Sequence, residues 1–156
     1  MKVLAKDIMN TDVVSVKMGS TLKEAIRIFA DRGVGILPVV DQEEKLVGML
    51  LESDVLEYSG KTHVLPMLDS SGWISPYDNA NERTDYRQGI DLLTITTVEK
   101  VMTKRAVSVK DNLPGNEVAK IMKKRIKHIP VVDATGKLCG IIGRGDLINY
   151  LASVDE

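Results

Sequence analysis

Two stretches of this chain repeat one pattern, and an internal repeat constrains the architecture more than any single motif does. Residues 38–56 read PVVDQEEKLVGMLLESDVL, and residues 130–148 read PVVDATGKLCGIIGRGDLI. Their proline, aspartate and glycine positions correspond at a constant shift of 92. The match continues upstream, where DIMNTDVVSV (7–16) corresponds to KVMTKRAVSV (100–109) at a shift of 93. The chain therefore contains two copies of one structural unit.

The sequence pattern of each copy predicts the same order of elements, β-α-β-β-α. In the first copy, apolar residues between 22 and 29 recur at i, i+3, i+4 and i+7, which indicates an amphipathic helix of about three turns. Ser20 is the expected N-cap of this helix, with Glu24 in its first turns. Strands are expected at 36–40 and 46–51 and a closing helix at 52–58, and the second copy repeats them at 128–132, 138–142 and 144–151.

The predicted fold class is α/β (α+β), because strands and helices alternate within each copy. One copy would bury only one face of a small sheet, so the two copies are expected to pack sheet to sheet about a pseudo-two-fold axis. We divide the chain into repeat 1 (1–58), an insertion (59–96) and repeat 2 (97–156). The insertion is polar and turn-rich but contains Trp73 and clustered leucines, so we expect it to dock on the core or on a partner, with a flexible linker as the alternative.

Composition argues against several classes of protein. The formal net charge is -1, which favours neither nucleic acid nor a membrane surface as a partner. No apolar run approaches the roughly 20 residues that cross a bilayer, so the expected location is the cytoplasm. Cys139 is the single cysteine and lies in an apolar strand, where an inert buried thiol is expected.

Catalytic and cofactor motifs are also missing from the sequence. His63 and His128 are isolated, and a single cysteine offers no metal-ligand spacing. Gly33-Val34-Gly35 lacks the third glycine of a dinucleotide motif and precedes a predicted strand rather than a helix. The chain is therefore not expected to be an enzyme or to require a cofactor.

The order of the motifs, repeated twice, resembles a tandem pair of cystathionine β-synthase (CBS) domains, or Bateman module. The similarity is carried by VVSV, EAIRIF, LPVVD, KLVGML and ESDVL in the first copy and by AVSV, EVAKIM, IPVVD, KLCGII and GRGDLI in the second. The resemblance implies a non-catalytic regulatory module that binds an adenosine-containing ligand (AMP, ADP, ATP or S-adenosylmethionine) between the repeats. It also implies a homodimer that signals to an effector protein in trans.

Two aspartates, Asp54 and Asp146, occupy equivalent positions just past a predicted strand. A carboxylate can accept hydrogen bonds from both ribose hydroxyls, and the resemblance favours that role. The alternative is an acidic residue that stabilises the start of a helix.

The resemblance implies two clefts of one shape but different chemistry. Arg144 could pair with phosphate, whereas its counterpart Glu52 would repel it, so the Asp146 cleft is expected to be the better phosphate site. The family often has a hydroxyl three residues before each aspartate, where this chain has Leu51 and Gly143, which leaves a ligand-free structural dimerisation module as the alternative function. One cleft is expected to contain Ile141, Arg144, Asp146, Asn10, Ser15, Gly35 and Ile36, and the other Met49, Ser53, Asp54, Thr103, Ser108, Lys127 and His128.

Overall fold

The computed structural model describes residues 2–61, 91–104, 106–122 and 126–154, and it contains two repeated units. Helix α1 (Ala5–Ile8) precedes the first unit, which consists of β1 (Val16–Lys17), α2 (Leu22–Arg32), β2 (Ile36–Val40), β3 (Leu46–Leu51) and α3 (Glu52–Lys61). Helix α4, described over residues 91–95, and a 3₁₀ turn (Val98–Lys100) precede the second unit. The second unit consists of β4 (Val109–Lys110), α5 (Gly115–Ile121), β5 (His128–Val132), β6 (Leu138–Gly143) and α6 (Arg144–Ser153).

Each unit has its own three-stranded sheet, in the order β1-β2-β3 or β4-β5-β6. The first strand of each sheet is parallel to the second, and the second is antiparallel to the third. A register irregularity occurs at corresponding places, between Val39 and Val40 and between Val131 and Val132. The predicted α/β fold with two β-α-β-β-α units is therefore confirmed.

The start of α2 differs by one residue from the sequence-based expectation. Thr21, not Ser20, is the N-cap: its Oγ1 accepts a hydrogen bond from the backbone N–H of Glu24 at 3.2 Å. Glu24 Oε2 accepts in return from the backbone N–H of Thr21, also at 3.2 Å. This reciprocal capping box requires N3 to lie three positions after Ncap, which fits Thr21 and excludes Ser20. The helix ends at Gly33, whose φ of 63° lies in the left-handed region.

Each unit has an aliphatic core that is completed by the segment preceding the other unit. Leu93 and Val98, which precede the second unit, are buried in the first core with Leu22, Leu37 and Leu50. Ala5, which precedes the first unit, is buried in the second core together with Val118, Ile129 and Ile142. The segment that contains Ala5 and the segment that contains Leu93 and Val98 are thus exchanged between the units, and we call them the exchanged segments.

Backbone hydrogen bonds make the same exchange in both directions. The N–H of Ala5 donates to the carbonyl of Leu113, and the N–H of Val98 donates to the carbonyl of Ser20, each at 2.8 Å. The turns before β3 and β6 also join the units, because Leu46 N–H donates to the Gly136 carbonyl at 3.1 Å. Ala5 is equivalent to Val98, and Ser20 to Leu113, at the shift of 93 found in the sequence. The units are therefore related by a pseudo-two-fold axis.

The apolar cluster at 64–74, on which docking of the insertion was predicted, lies outside the described residues. At the end of the insertion, the Thr96 hydroxyl lies within hydrogen-bonding distance, 2.9 Å, of the Tyr58 hydroxyl.

Cys139 is half-buried; its Sγ donates to the carbonyl of Val131 at 3.4 Å, and burial raises the pKa of its thiol. Within the described ranges, none of the helices is both long enough and apolar enough to pass through a bilayer.

Candidate functional site

A cleft of about 480 Å³ lies where the two units meet, and we call it the main cleft. One wall is the end of β3 and the start of α3, and the facing wall comes from the segments that precede β4 and β5. Because both units contribute, neither unit would form the cleft alone. The lining residues are Gly35, Ile36, Met49, Leu51, Glu52, Ser53, Thr103, Ala106, Val107, Ile126, Lys127, His128 and Pro130.

The exchanged segment places Thr103 in the wall of the main cleft. Its backbone N–H donates to the Met49 carbonyl at 2.8 Å, and its carbonyl accepts from the Met49 N–H at 3.0 Å. Met49 is 3% exposed, so this pair of bonds anchors the segment on the edge of the first core. Ala106 and Val107 follow three and four residues later and extend the apolar wall.

The start of α3 is held close to the start of β2. The backbone N–H of Glu52 donates to the carbonyl of Gly35 at 3.0 Å. The Glu52 side chain lies over Gly35, since Oε1 would be 3.3 Å from a Cβ at position 35. The equivalent contact in the second unit runs from the Arg144 N–H to the Lys127 carbonyl at 3.3 Å. The two sites therefore share a backbone frame and differ in side-chain charge.

A second, more open depression of about 410 Å³ lies at the start of α6. Arg144 lines it, but its guanidinium is turned toward the segment before β5. Nε donates to the Ile126 carbonyl at 3.3 Å, and one terminal nitrogen donates to the Met122 carbonyl at 3.4 Å. The lining residues are Lys127, His128, Gly143, Arg144, Gly145 and Asp146.

Both predicted ribose-binding aspartates take part in helix starts. Asp54 Oδ2 accepts from the backbone N–H of Leu51 at 3.0 Å, and Asp146 Oδ2 accepts from that of Gly143 at 2.7 Å. Each side chain therefore satisfies the N–H at the end of the preceding strand, as the helix-start alternative expects. A carboxylate has further acceptor sites, so this role and ribose binding are compatible.

The structure groups the predicted site residues differently from the sequence analysis. Met49, Ser53, Thr103, Lys127 and His128 do come together in the main cleft. Gly35 and Ile36 line this same cleft, although they were grouped with Arg144 and Asp146. Because Ile36 pairs with Leu51 across β2 and β3, both must lie beside the start of α3. Asp54, one residue past Ser53, is not among the residues that line the main cleft.

The remaining predicted residues lie outside the main cleft. Asn10 pairs with Ile141 through two backbone hydrogen bonds of 2.8 and 3.0 Å, the counterpart of the Thr103–Met49 pair. Ser15 lines a third depression of about 430 Å³ next to α2, and Ser108 is exposed. The lining residues that sequence reasoning did not propose as ligand contacts are Leu51, Glu52, Ala106, Val107, Ile126 and Pro130. Among the described parts of the chain, no group of three His, Cys, Asp or Glu side chains is placed to hold a metal ion.

Comparisons with known proteins agree with this architecture. The family model of the CBS domain matches residues 5–61 and 98–153. An uncharacterised protein of Methanocaldococcus jannaschii is 35% identical over 95% of this chain and 90% of its own length. Some more distant matches are enzymes, of which this chain covers 23%.

Solved structures show the same fold. The CBSX2 protein in complex with AMP aligns with a TM-score of 0.69 at 22% identity, covering 96% of each chain. The CBS domain pair of the MJ0100 protein, in complex with 5′-methylthioadenosine and S-adenosylmethionine, aligns with a TM-score of 0.66 at 22% identity, covering 97% of this chain and 98% of the other. Two family matches and a whole-chain relative at 35% identity go beyond likeness of fold. The chain therefore belongs to the CBS-domain family and is a tandem CBS pair, the arrangement called a Bateman module.

Proposed function

We propose that this protein is a regulatory module that binds an adenosine-containing ligand in the main cleft and signals to a partner protein. The observation that carries the proposal is that one cleft of about 480 Å³ is built from both units. A ligand bound there would contact both units at once, so its binding energy would favour one relative placement of the units. That is the property that a ligand-responsive module requires.

The chemistry of the main cleft suits a nucleoside. Leu51, Ala106, Val107 and Ile126 supply apolar surface for the faces of a purine ring. Ser53 supplies a hydroxyl at the start of α3, within reach of polar groups on a sugar. The fold neighbours with bound AMP or S-adenosylmethionine support the same ligand class.

Thermal unfolding with added ligand tests this function. Because a ligand that binds the native state raises its stability, AMP, ATP or S-adenosylmethionine at millimolar concentration should raise the Tm. The variant Ala106→Phe fills the main cleft and should abolish the shift. The same substitution in an exposed turn, Ala134→Phe, is the matched control and should keep it. A Tm unchanged by all three ligands in the unmodified protein would refute the proposal.

A second candidate function is a structural dimerisation module. It is favoured by exposed apolar side chains on the two closing helices: Leu56 on α3 is 60% exposed, and its counterpart Ile148 on α6 is 64% exposed. Leu151, one turn further along α6, is 66% exposed. Such a repeated apolar face suits a second copy of the chain. Sedimentation should show a dimer that Leu56→Lys with Ile148→Lys dissociates, and a wild-type monomer would exclude this function.

A further inference from the structure

We propose that the main cleft selects an adenosine ligand whose 5′ group ends in an α-amino acid, with Glu52 and Lys127 binding its ammonium and carboxylate. The inference rests on the proposed function, because it assumes that a nucleoside occupies this cleft. It goes further by assigning the ligand class and the two residues that determine it. Nucleotides with several phosphates are the class that these residues disfavour.

The first observation is the position of the Glu52 carboxylate. Glu52 is the first residue of α3, and the backbone bond to Gly35 fixes it at the wall of the main cleft. Its side chain lies along that wall, with Oε1 and Oε2 both within 3.7 Å of where a Cβ on Gly35 would be. A phosphate placed at the start of α3 would therefore meet a negative charge.

The second observation is a positive charge at the other side of the same cleft. Lys127 precedes β5 and lines the main cleft together with Glu52. The two residues come from different units, so a ligand that pairs with both spans the junction. A zwitterionic group has both charges that these residues require, whereas a phosphate chain has only one.

The third observation is that no residue the structure describes pairs with the Glu52 carboxylate or the Lys127 ammonium. The structure shows no side-chain hydrogen bond or ion pair of Glu52 or Lys127 with any residue in the described parts of the chain. Arg144, at the position equivalent to Glu52, instead donates to two backbone carbonyls. The main cleft thus offers a carboxylate and an ammonium to a ligand. The carboxylate of the second depression, Asp146, already accepts a hydrogen bond from the Gly143 N–H.

Calorimetry with adenosine, AMP, ATP and S-adenosylhomocysteine at low salt and pH 8 tests the assignment. S-adenosylhomocysteine has an α-amino acid and no phosphate, so it should bind more tightly than AMP or ATP. Glu52→Gln should weaken S-adenosylhomocysteine by about fivefold, the scale of an exposed ion pair. The same substitution should leave AMP unchanged or strengthen it, because a negative charge near the phosphate is removed.

The matched control is Glu57→Gln, which makes the same change five residues along α3, where the carboxylate pairs with Lys61 and not with the cleft. It should leave every affinity unchanged. If ATP binds more tightly than S-adenosylhomocysteine, or if Glu52→Gln leaves their affinity ratio unaltered, the inference is wrong while the proposed function stands. If none of the four ligands binds, both are wrong.

Discussion

Met9 packs directly against Gly140, in the space that a side chain at position 140 would occupy. The equivalent contact places Met102 against Gly48, where a new Cβ would lie 2.5 Å from the methionine Sδ and 2.9 Å from the carbonyl oxygen of Thr103. In both cases the methionine belongs to an exchanged segment and the glycine to the last strand of the sheet that receives it. Each contact therefore packs an exchanged segment closely against the sheet that receives it.

Adding a methyl group at these glycines should destabilise the protein. Gly48→Ala is expected to lower the free energy of unfolding by about 1–3 kcal/mol, since overpacking against a backbone oxygen is not relieved by a rotamer change. Gly140→Ala should cost a similar amount, because the added methyl carbon would lie 2.9 Å from the Met9 Cβ, an atom that a rotamer change does not move. Urea unfolding measures both. Gly60→Ala, within α3 and with open space around it, is the control and should be neutral or stabilising.

The capping box of α2 gives a prediction that separates two adjacent hydroxyl residues. Thr21→Ala removes the acceptor for the Glu24 N–H and should lower the free energy of unfolding by about 1 kcal/mol. Ser20→Ala should change it by much less, because Ser20 is not the N-cap. Equal losses for the two variants, measured by urea unfolding, would contradict the assignment.

Glu99 should make stability depend on pH. Burial acts to raise its pKa, but hydrogen bonds from the Gly19 N–H at 2.9 Å and from the Thr97 side chain outweigh this and hold the pKa below its ordinary value of 4.5. A carboxyl group with a depressed pKa stabilises the folded state above its ordinary pKa and loses that contribution as pH falls through the folded value.

Glu99→Gln should therefore be less stable than the unmodified protein at pH 7, and the difference should shrink as pH falls below about 4.5. Chemical unfolding at a series of pH values measures the difference. Glu43→Gln, at an exposed turn position, serves as the control and should show no such convergence. A constant difference between pH 7 and pH 3 would show that the Glu99 charge does not matter.

The two aspartates at the helix starts can be tested for both of their roles. Asp54→Ala and Asp146→Ala remove the acceptor for a strand-end N–H, so each should destabilise the protein by about 1 kcal/mol. The corresponding asparagine variants keep an acceptor and should be more stable than the alanine variants. If an aspartate also binds ribose, both substitutions weaken the ligand by about 1.5–3 kcal/mol in calorimetry. Unchanged affinity would leave only the helix-start role.

The repeat made most of the fold predictable. Because matching motifs recur at shifts of 92 or 93 residues, the strands β2, β3, β5 and β6 and the helix α2 could be located to within a residue or two. The one-residue error at Ser20 arose because two adjacent hydroxyl residues are equally good caps in isolation. Only the Glu24 side chain, which reaches back to the Thr21 N–H, decides between them.

The site was less predictable, for a physical reason. Side-chain direction depends on contacts that a sequence pattern does not show. Arg144 looked like a phosphate ligand, but its guanidinium donates to backbone carbonyls before β5. Gly35 and Ile36 were assigned to the Asp146 cleft, yet the strand register with Leu51 places them at the start of α3. Charge differences such as Glu52 against Arg144 were visible in the alignment of the repeats, whereas the partners of each charge were not.

The exchanged segments have a consequence for how such a chain could arise. A polypeptide with only one unit would have an unfilled place in its core and an initial segment with nothing to pack on. A second copy of the same polypeptide would resolve both defects, since each would fill the other's core under two-fold symmetry. The present chain has the form of such a symmetric pair joined into one polypeptide. Within one polypeptide the two halves need not be identical, so charges such as Glu52 and Arg144 can differ while the exchanged contacts stay the same.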